Sequence, residues 1–290
     1  MIVDAHIHVW SPDVEHYPLA PGFEPSDLWL PSYTPDDHRI NTGRFGEAVA
    51  GINLIQMTWY GLDHSYILDL IGSDPELFTG TGIIPAVSDV SVGSPDRVMR
   101  DLAKGGIRAF RIRSRAAQPQ WGQPDQWLNQ DGYERMFATA AEDDLVLSFL
   151  AASEDLPEIG RMCERFPQTA VIIDHVGGVR MKEGAVAADD LQQLVDLADH
   201  PKVFVKFGPV HALSDEEAPF AGVAVLLRQV VKAFGADRCM WESDCGGPSK
   251  LDDPPTEVLA GVDLVRHADF LSAQDKAAIL GTTARKLLWR

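Results

Sequence analysis

The sequence predicts an α/β fold, a distorted (β/α)8 TIM barrel. Two observations predict it. Short apolar runs alternate with amphipathic stretches along the 290 residues, and eight such strand–helix units follow one another. The apolar runs, such as Val171-Ile172-Ile173, are continuous rather than alternating, which is typical of strands buried on both faces. Eight units with buried parallel strands fit a closed barrel better than an open, doubly wound sheet.

The predicted elements alternate along the chain. The strands are predicted at Ile2–His6, Val49–Met57, Thr79–Ala86, Ile107–Ile112, Leu145–Leu150, Ala170–Asp174, Lys202–Phe207 and Arg238–Ser243. The helices are predicted at Asp63–Ile71, Pro95–Lys104, Gly132–Glu142, Asp155–Arg165, Asp189–Asp199, Glu216–Phe234, Thr256–His267 and Ala273–Leu288. Ser94, Ser153 and Ser214 mark helix starts, and Gly105-Gly106 marks a helix end.

One stretch breaks this rhythm. The chain from Trp10 to about Gly46 is rich in Pro, Asp, Trp and Tyr and directly follows strand 1. We therefore expect a long loop over the mouth of the barrel. Its aromatic residues either form an apolar cover there or pack the loop onto the barrel: Trp10, Tyr17, Phe23, Trp29 and Tyr33. No linker or internal repeat divides the chain, so residues 1–290 are predicted to form a single domain.

The composition narrows the function. The formal charge of −18 and a pI near 4.8 argue against binding to nucleic acid or to an anionic membrane. A small anionic substrate stays open, because arginines around a site can outweigh the overall charge. Three cysteines without metal-type spacing, and a start that leads straight into strand 1, favour a cytoplasmic protein. No apolar run approaches the length of a membrane span, and homo-oligomerisation stays open.

The segment Asp4-Ala5-His6-Ile7-His8 is the most informative in the chain. Side chains alternate along a strand, so Asp4, His6 and His8 are predicted to share one face. A buried strand has no structural need to aim two imidazoles and a carboxylate at one point. The arrangement suits a site that holds a cation or polarises an oxygen-rich substrate. The alternative is a pair of core histidines beside an aspartate.

The other predicted strands bring further polar groups to the same end of the barrel, where (β/α)8 enzymes place their chemistry. These strand ends are Arg111-Ile112-Arg113 on strand 4, Asp174-His175 on strand 6, Lys206 on strand 7 and Glu242-Ser243-Asp244 on strand 8. Each group alone has an ordinary structural explanation. Together they predict a site of His6, His8, His175 and Asp244, ringed by Arg111, Arg113 and Lys206.

Taken together, these motifs resemble those of the amidohydrolase superfamily. The likeness is to its amidohydrolase-2, lactonase-like branch, which includes 2-pyrone-4,6-dicarboxylate lactonase and sugar lactonases. The segments that carry it span the chain: Asp4–Trp10, Tyr33–Pro35, Gly106–Arg111, Asp174–Gly177, Val205–Phe207, Met240–Asp244 and Leu271–Leu287. Two positions depart from the pattern. Glu242 stands where relatives usually have Gly, and Cys245-Gly246 replaces the more usual aromatic-Pro.

The resemblance implies roles for the site. Asp244 would be the general base that takes a proton from the attacking water, with a proton affinity raised by neighbouring acids. The three histidines, His6, His8 and His175, would polarise the carbonyl or stabilise the oxyanion. Four residues would hold a carboxylate or polyol substrate: Arg111, Arg113, Lys206 and Trp10. Asp4 and Glu242 are secondary candidates. Two roles are open for Glu242: it forms a salt bridge inside the barrel, or it raises the pKa of Asp244.

The same resemblance leaves the metal open. His6, His8 and Asp244 would suffice to hold one zinc ion. Metal-using relatives typically add a histidine from strand 5, however, and none occurs near Leu145–Asp155. Some lactonases of this branch work without a metal, so a metal-free site is an equal alternative. A binuclear centre is not expected, because strand 4 presents arginines rather than a bridging lysine or glutamate.

The leading interpretation is a hydrolase that opens a lactone, or a related cyclic ester, that carries a carboxylate or hydroxyl groups. A metal-dependent non-oxidative decarboxylase and a lactone isomerase are the alternatives within the superfamily. A non-enzymatic binding protein is the alternative outside it, and it would be favoured if Asp244 lay fully exposed and far from His6.

Overall fold

The computed structural model describes residues 1–85, 94–113, 126–217, 219–248 and 253–289, and there it confirms the predicted barrel. In chain order the described strands are β1 (Ile2–His8), β2 (Val49–Ile55), β3 (Phe78–Ile83), β4 (Ile107–Arg113), β5 (Val146–Leu150), β6 (Ala170–Ile173), β7 (Met181–Lys182), β8 (Ala185–Val186), β9 (Val203–Phe207) and β10 (Cys239–Trp241). Strands β7 and β8 form a separate antiparallel hairpin. The others pair in parallel in the order β1-β2-β3-β4-β5-β6-β9-β10. Ala86, the predicted end of strand 3, lies outside the described residues.

Helices pack around this sheet. They are α1 (Pro35–Asn41), α2 (Ser65–Ser73), α3 (Pro95–Ala103), α4 (Asp131–Glu142), α5 (Leu156–Arg165), α6 (Ala188–Asp196), α7 (Val210–Leu213), α8 (Val223–Phe234), α9 (Pro254–His267), α10 (Ala273–Ala277) and α11 (Thr283–Leu288). A π-helical turn, Ala278–Thr282, joins the last two. Within the described ranges, no helix combines the length and the apolar character needed to cross a membrane.

Among the helices that differ from the prediction, two have a local explanation. α1 lies inside the stretch predicted as a loop, and a capping box between Thr34 and Asp37 starts it. The sequence signal for this start was therefore present. α8 begins at Val223 rather than at Glu216, because Phe220 has a φ of 55°. That left-handed backbone conformation interrupts a right-handed helix.

The barrel interior is layered along its axis. At the base the side chains are small or apolar, and Leu287 and Leu288 of α11 close this end against Val3 and Met240. Above them lies a buried polar layer, in which the side chain of Asn53 bonds to Thr81 and to the carbonyl of Ala5. The charged residues of the predicted site lie at the opposite, carboxyl end of the strands. Apolar closure of the base thus leaves one open end for chemistry.

Strand β1 contains a bulge that changes which residues face inward. Asp4 pairs with Ile52 and Ile7 pairs with Leu54, so three steps on β1 match two on β2. Asp4 and Ile7 therefore lie on the same, outer face, whereas His6 and His8 face the barrel interior. The prediction that Asp4 shares a face with the two histidines is wrong, because the extra residue resets the alternation.

Backbone hydrogen bonds close the barrel between β1 and the segment after β10. His8 N donates to Cys245 O at 2.8 Å, and Asp244 N donates to His6 O at 3.0 Å. Gly246 makes this approach possible. It has a φ of +72°, and a Cβ atom at this position would lie 2.4 Å from His8 O.

Gly246→Ala is expected to destabilise the protein more than Gly46→Ala, a matched control. Gly46 has a similar φ of +76°, but nothing lies within 4 Å of its virtual Cβ. The control therefore shows only the left-handed backbone cost of about 1–2 kcal/mol. Gly246→Ala adds an overpacking cost of about 1–3 kcal/mol. Chemical denaturation measures the free energy of unfolding of both variants. Equal losses of stability would contradict the close approach of Gly246 to His8 O.

Candidate active site

A cavity of about 420 Å³ opens at the carboxyl ends of the barrel strands. Six of the strand ends contribute to its wall: His8, Gln56, Arg111, Leu150, His175 and Asp244. The cavity therefore lies where the strand-end argument placed the chemistry. Its size is in the range that accommodates a small organic molecule.

Three donor atoms meet at the floor of this cavity. His6 Nε2 and His8 Nε2 are 3.3 Å apart, and Asp244 Oδ1 lies 3.5 Å from the first and 3.3 Å from the second. Asp244 Oδ1 is buried and accepts no hydrogen bond from any described residue. Asp244 and His6 are thus in contact, with side chains only 8% and 0% exposed, which disfavours the binding-protein alternative.

The spacing of these atoms fits a zinc ion. Ligand atoms at about 2.0–2.1 Å from a tetrahedral zinc lie about 3.3–3.4 Å from one another. The three observed separations are close to this distance between ligand atoms. The donor set of two imidazole nitrogens and one carboxylate oxygen is also one that zinc accepts. A cation between these three atoms would bind all of them at once.

The electrostatics of the donor atoms agree with this arrangement. Burial lowers the pKa of His8 to about 4, although Asp244 opposes the effect, so this imidazole is neutral at neutral pH. For Asp244, burial opposes ionisation, but the imidazoles of His175, His8 and His6 hold its pKa below the ordinary value. The expectation of a raised proton affinity at Asp244 is wrong, since the nearby imidazoles outweigh the effect of burial.

A buried ion pair supports the floor from below. Lys206 Nζ lies 2.9 Å from Asp174 Oδ1 and 3.1 Å from His6 Nδ1. Ser148 Oγ donates to the same carboxylate oxygen at 2.9 Å, and Arg111 Nε lies 3.6 Å from the other oxygen, Asp174 Oδ2. Burial opposes the charge of Asp174, yet Lys206, His6 and Arg111 hold the pKa of this carboxyl well below its usual range. Lys206 is fully buried and is absent from the cavity wall, so the structure places it beneath His6 rather than at the predicted substrate contact.

Glu242 connects two of the histidines. Its Oε1 accepts from His175 Nδ1 at 2.7 Å, and its Oε2 lies 3.1 Å from His6 Nδ1. Burial opposes ionisation of Glu242, but the histidines lower its pKa. Burial likewise disfavours the charged form of His175, while Glu242 and Asp244 raise its pKa to about 9. The salt-bridge interpretation of Glu242 therefore holds, with imidazoles as its partners.

Three arginines line the cavity. Arg111 and Arg113 project from β4 as predicted, and Arg180, between β6 and β7, joins them. Arg180 is solvent-exposed and has no ion-pair partner in the described part of the chain. Sequence reasoning missed it, because it lies five residues beyond the strand-end motif that carries His175. Three guanidinium groups around one cavity favour an anionic ligand.

The aromatic residues of the loop after β1 divide into two groups. Trp10 is fully buried, its Nε1 donates to Leu30 O, and its ring packs against Trp29 and Trp59. It therefore does not line the cavity, contrary to the prediction that it contacts the substrate. Trp29 does reach it, and its Nε1 donates to Gly246 O at 3.1 Å. Tyr33 is buried with the packing group. Packing thus accounts for most of these residues, and Trp29 alone among the five lines the described cavity.

Asp4 has a different place from the one predicted. Its Oδ1 accepts from the backbone N–H groups of His6 and Ser243, at 3.2 and 3.0 Å. Its Oδ2 lies 3.4 Å from Nε2 of His38 on α1. Burial raises the pKa of Asp4 to about 7 and lowers that of His38 to about 3. Asp4 therefore ties β1 to the chain after β10 from outside the barrel and contributes no ligand atom.

Comparisons with known proteins agree with this architecture. A zinc-bound amidohydrolase from Burkholderia multivorans superposes with a TM-score of 0.74 at 20% identity, covering 99% of both chains. A protein from Acinetobacter baumannii, described as a probable 2-pyrone-4,6-dicarboxylic acid hydrolase with citric acid bound, gives a TM-score of 0.74 at 15% identity, covering 99% of this chain and 98% of that one. For 5-carboxyvanillate decarboxylase from Sphingomonas paucimobilis the TM-score is 0.58 at 13% identity, with 89% and 83% covered. At these identities the superpositions show a shared fold.

No curated protein matches the chain. A family model does: Amidohydro_2, described as amidohydrolase, matches residues 3–290. That range runs from β1 through α11 and includes every strand end that contributes to the cavity. The resemblance inferred from the motifs is therefore confirmed, and the chain belongs to this amidohydrolase family.

Proposed function

We propose that this protein is a hydrolase that opens a lactone bearing a carboxylate. The observation that carries the proposal is the buried Asp244 carboxylate, which lies against His6 and His8 on the floor of a cavity walled by arginines. A carboxylate that is ionised at neutral pH can accept a proton from water. The family likeness supports an enzyme, and this site supports hydrolysis within it.

Asp244 and His175 take part in the proposed reaction. The oxygen of a water molecule bonds to the lactone carbonyl carbon while Asp244 takes the proton that the water loses. The carbonyl oxygen becomes an oxyanion, and His175, which lines the cavity, donates a hydrogen bond to it. The bond between the carbonyl carbon and the ring oxygen then breaks. The ring oxygen receives the proton held by Asp244, and the product is an open-chain hydroxy acid.

We further propose that His6, His8 and Asp244 hold one divalent cation. Their donor spacing and chemistry fit zinc, as described above. When bound, the cation would act as a Lewis acid on the ester carbonyl. Lys206 supports a single ion: its ammonium group lies 3.1 Å from His6 Nδ1, beside the second cluster of potential ligands formed by His6, His175 and Glu242. A fixed positive charge there disfavours a second cation.

The cavity wall favours a carboxylate over a polyol. Arg111, Arg113 and Arg180 supply forked, charged donors, which match a planar carboxylate. The same cavity is also lined by apolar side chains, among them Trp29 and Met57. A sugar lactone would instead call for many neutral hydrogen-bonding groups.

Asp244→Asn is expected to lower kcat about 100- to 10,000-fold, because the amide cannot accept the water proton. The measurement is steady-state hydrolysis of each lactone that the wild type opens, with circular dichroism to check the fold. Asp269→Asn, at an exposed surface carboxylate, is the control and should leave kcat unchanged. Wild-type turnover by Asp244→Asn would sink the assigned base.

Arg180→Gln is expected to raise KM about 10- to 100-fold for a carboxylate-bearing lactone, since a charge-assisted hydrogen bond contributes about 1.5–3 kcal/mol. KM for a neutral lactone should change little. Arg165→Gln, which removes an arginine paired with Glu134 outside the cavity, is the matched control. An equal rise in KM for charged and neutral lactones would argue against carboxylate recognition.

Zinc titration is expected to show one bound ion per chain, by calorimetry and by elemental analysis after dialysis. His8→Asn should weaken binding by at least about 10-fold, because it removes a ligand atom. His16→Asn, at an exposed imidazole, should bind as the wild type does. Identical binding by both variants would exclude His8 as a ligand.

A screen of sugar-acid and aromatic-catabolic lactones, with and without a chelator, tests the reaction class. Opening of the ring, followed by mass spectrometry, supports hydrolysis. Release of carbon dioxide from an aromatic carboxylate, without ring opening, would instead identify a decarboxylase, the activity named for one structural neighbour.

A further inference from the structure

His175 lies on a strained turn. His175, Val176 and Gly177 have consecutive φ values of 51°, 48° and 63°, all in the left-handed region. For a non-glycine residue this conformation is unfavourable, and least favourable for a β-branched residue such as Val176. Such strain persists where surrounding contacts hold it and is typical of functional sites. The turn places His175 at the cavity, 19% exposed at its side chain.

Glu242 holds this turn through two hydrogen bonds to the same residue. Its Oε1 accepts from the backbone N–H of His175 at 3.1 Å and from the ring Nδ1–H at 2.7 Å. The Glu242 side chain is fully buried, so water does not compete for these bonds. Because Nδ1 carries the proton that Glu242 accepts, Nε2 is the nitrogen left for the cavity.

The other oxygen of Glu242 extends the arrangement to the cavity floor. Glu242 Oε2 lies 3.1 Å from His6 Nδ1, and the rings of His6 and His175 are 4.7 Å apart between centroids. One carboxylate therefore contacts both imidazoles on the side away from the substrate. Rotation of either ring would separate it from this carboxylate.

We propose that Glu242 is the positioning residue of His175: it fixes the ring with Nδ1 towards the carboxylate and Nε2 towards the substrate oxygen. The structural part of this proposal is independent of the reaction, and its catalytic part rests on the proposed hydrolysis. Carboxylates that orient imidazoles from behind typically contribute a factor of about 10–100 in activity or metal affinity.

A double-mutant cycle tests the catalytic part. Glu242→Met, which has a similar length but no acceptor, is expected to lower kcat about 10- to 100-fold with KM nearly unchanged. In a His175→Asn background the same change should cost less than about twofold, because the residue that it positions is gone. Equal losses in both backgrounds would overturn the proposal.

Two further variants separate positioning from charge and from folding. Glu242→Gln keeps an acceptor oxygen for His175 and should recover most of the kcat lost in Glu242→Met; a loss as large as that of Met would point to charge instead and overturn the proposal. Glu158→Met is the control for loss of a buried carboxylate. Glu158 accepts from Leu128 N and Arg161 and does not line the cavity. It should lower stability while changing kcat equally in both backgrounds.

The structural part of the proposal, the orientation of the His175 ring, can be measured without any substrate. The wild-type protein should show a slowly exchanging His175 Nδ1–H in ¹H–¹⁵N spectra and a protected His175 backbone amide in hydrogen exchange. Both signals should be lost in Glu242→Met and kept in Glu242→Gln; their survival in Glu242→Met would overturn the proposal. If the wild type opens no lactone, the proposed function fails, and these spectra still decide whether Glu242 positions His175.

Discussion

The pair of backbone hydrogen bonds between β1 and the segment after β10 organises everything at the mouth of this barrel. Through them Asp244 N donates to His6 O, and His8 N donates to Cys245 O, so the first and last strands of the sheet become neighbours. The closure brings the Asp244 carboxylate against the two imidazoles of β1. Asp4 reinforces it from outside, since one of its oxygens accepts from the N–H groups of His6 and Ser243. Without these hydrogen bonds, the Asp244 carboxylate and the two imidazoles would lie on separate edges of an open sheet.

Behind the donor atoms the barrel buries two pairs of ionisable groups. Asp174 pairs with Lys206, and Glu242 with His175. A buried charge without such a partner would cost several kcal/mol. This pairing also has a functional consequence, because His6 Nδ1 lies 3.1 Å from both Lys206 Nζ and Glu242 Oε2. The far side of the ring is thereby fixed, and its Nε2 faces Asp244.

The local and overall charges of the protein have opposite signs. The chain carries a formal charge of −18, which disfavours phosphate-rich partners. At the cavity, Arg111, Arg113 and Arg180 are all among the lining residues. Close contacts inside a cleft outweigh the field of distant surface charges, which salt screens over about 8–10 Å. An acidic protein can therefore present a site that favours small anions and still avoid large polyanions.

The sequence by itself determined the barrel, the order of its strands and the residues at their ends, because periodicity and strand length depend on local apolar patterns. It therefore predicted that His6, His8, His175 and Asp244 would meet. The tertiary structure alone decided how they meet. A one-residue bulge placed Asp4 on the outer face, and burial beneath His6 removed Lys206 from substrate contact. Packing buried Trp10 and left Trp29 at the cavity, and the turn after β6 placed Arg180 there as well. The sign of the pKa shift at Asp244 likewise depended on three imidazoles from two different strand ends. Each of these features is set by distances between segments remote in sequence, which local patterns do not encode.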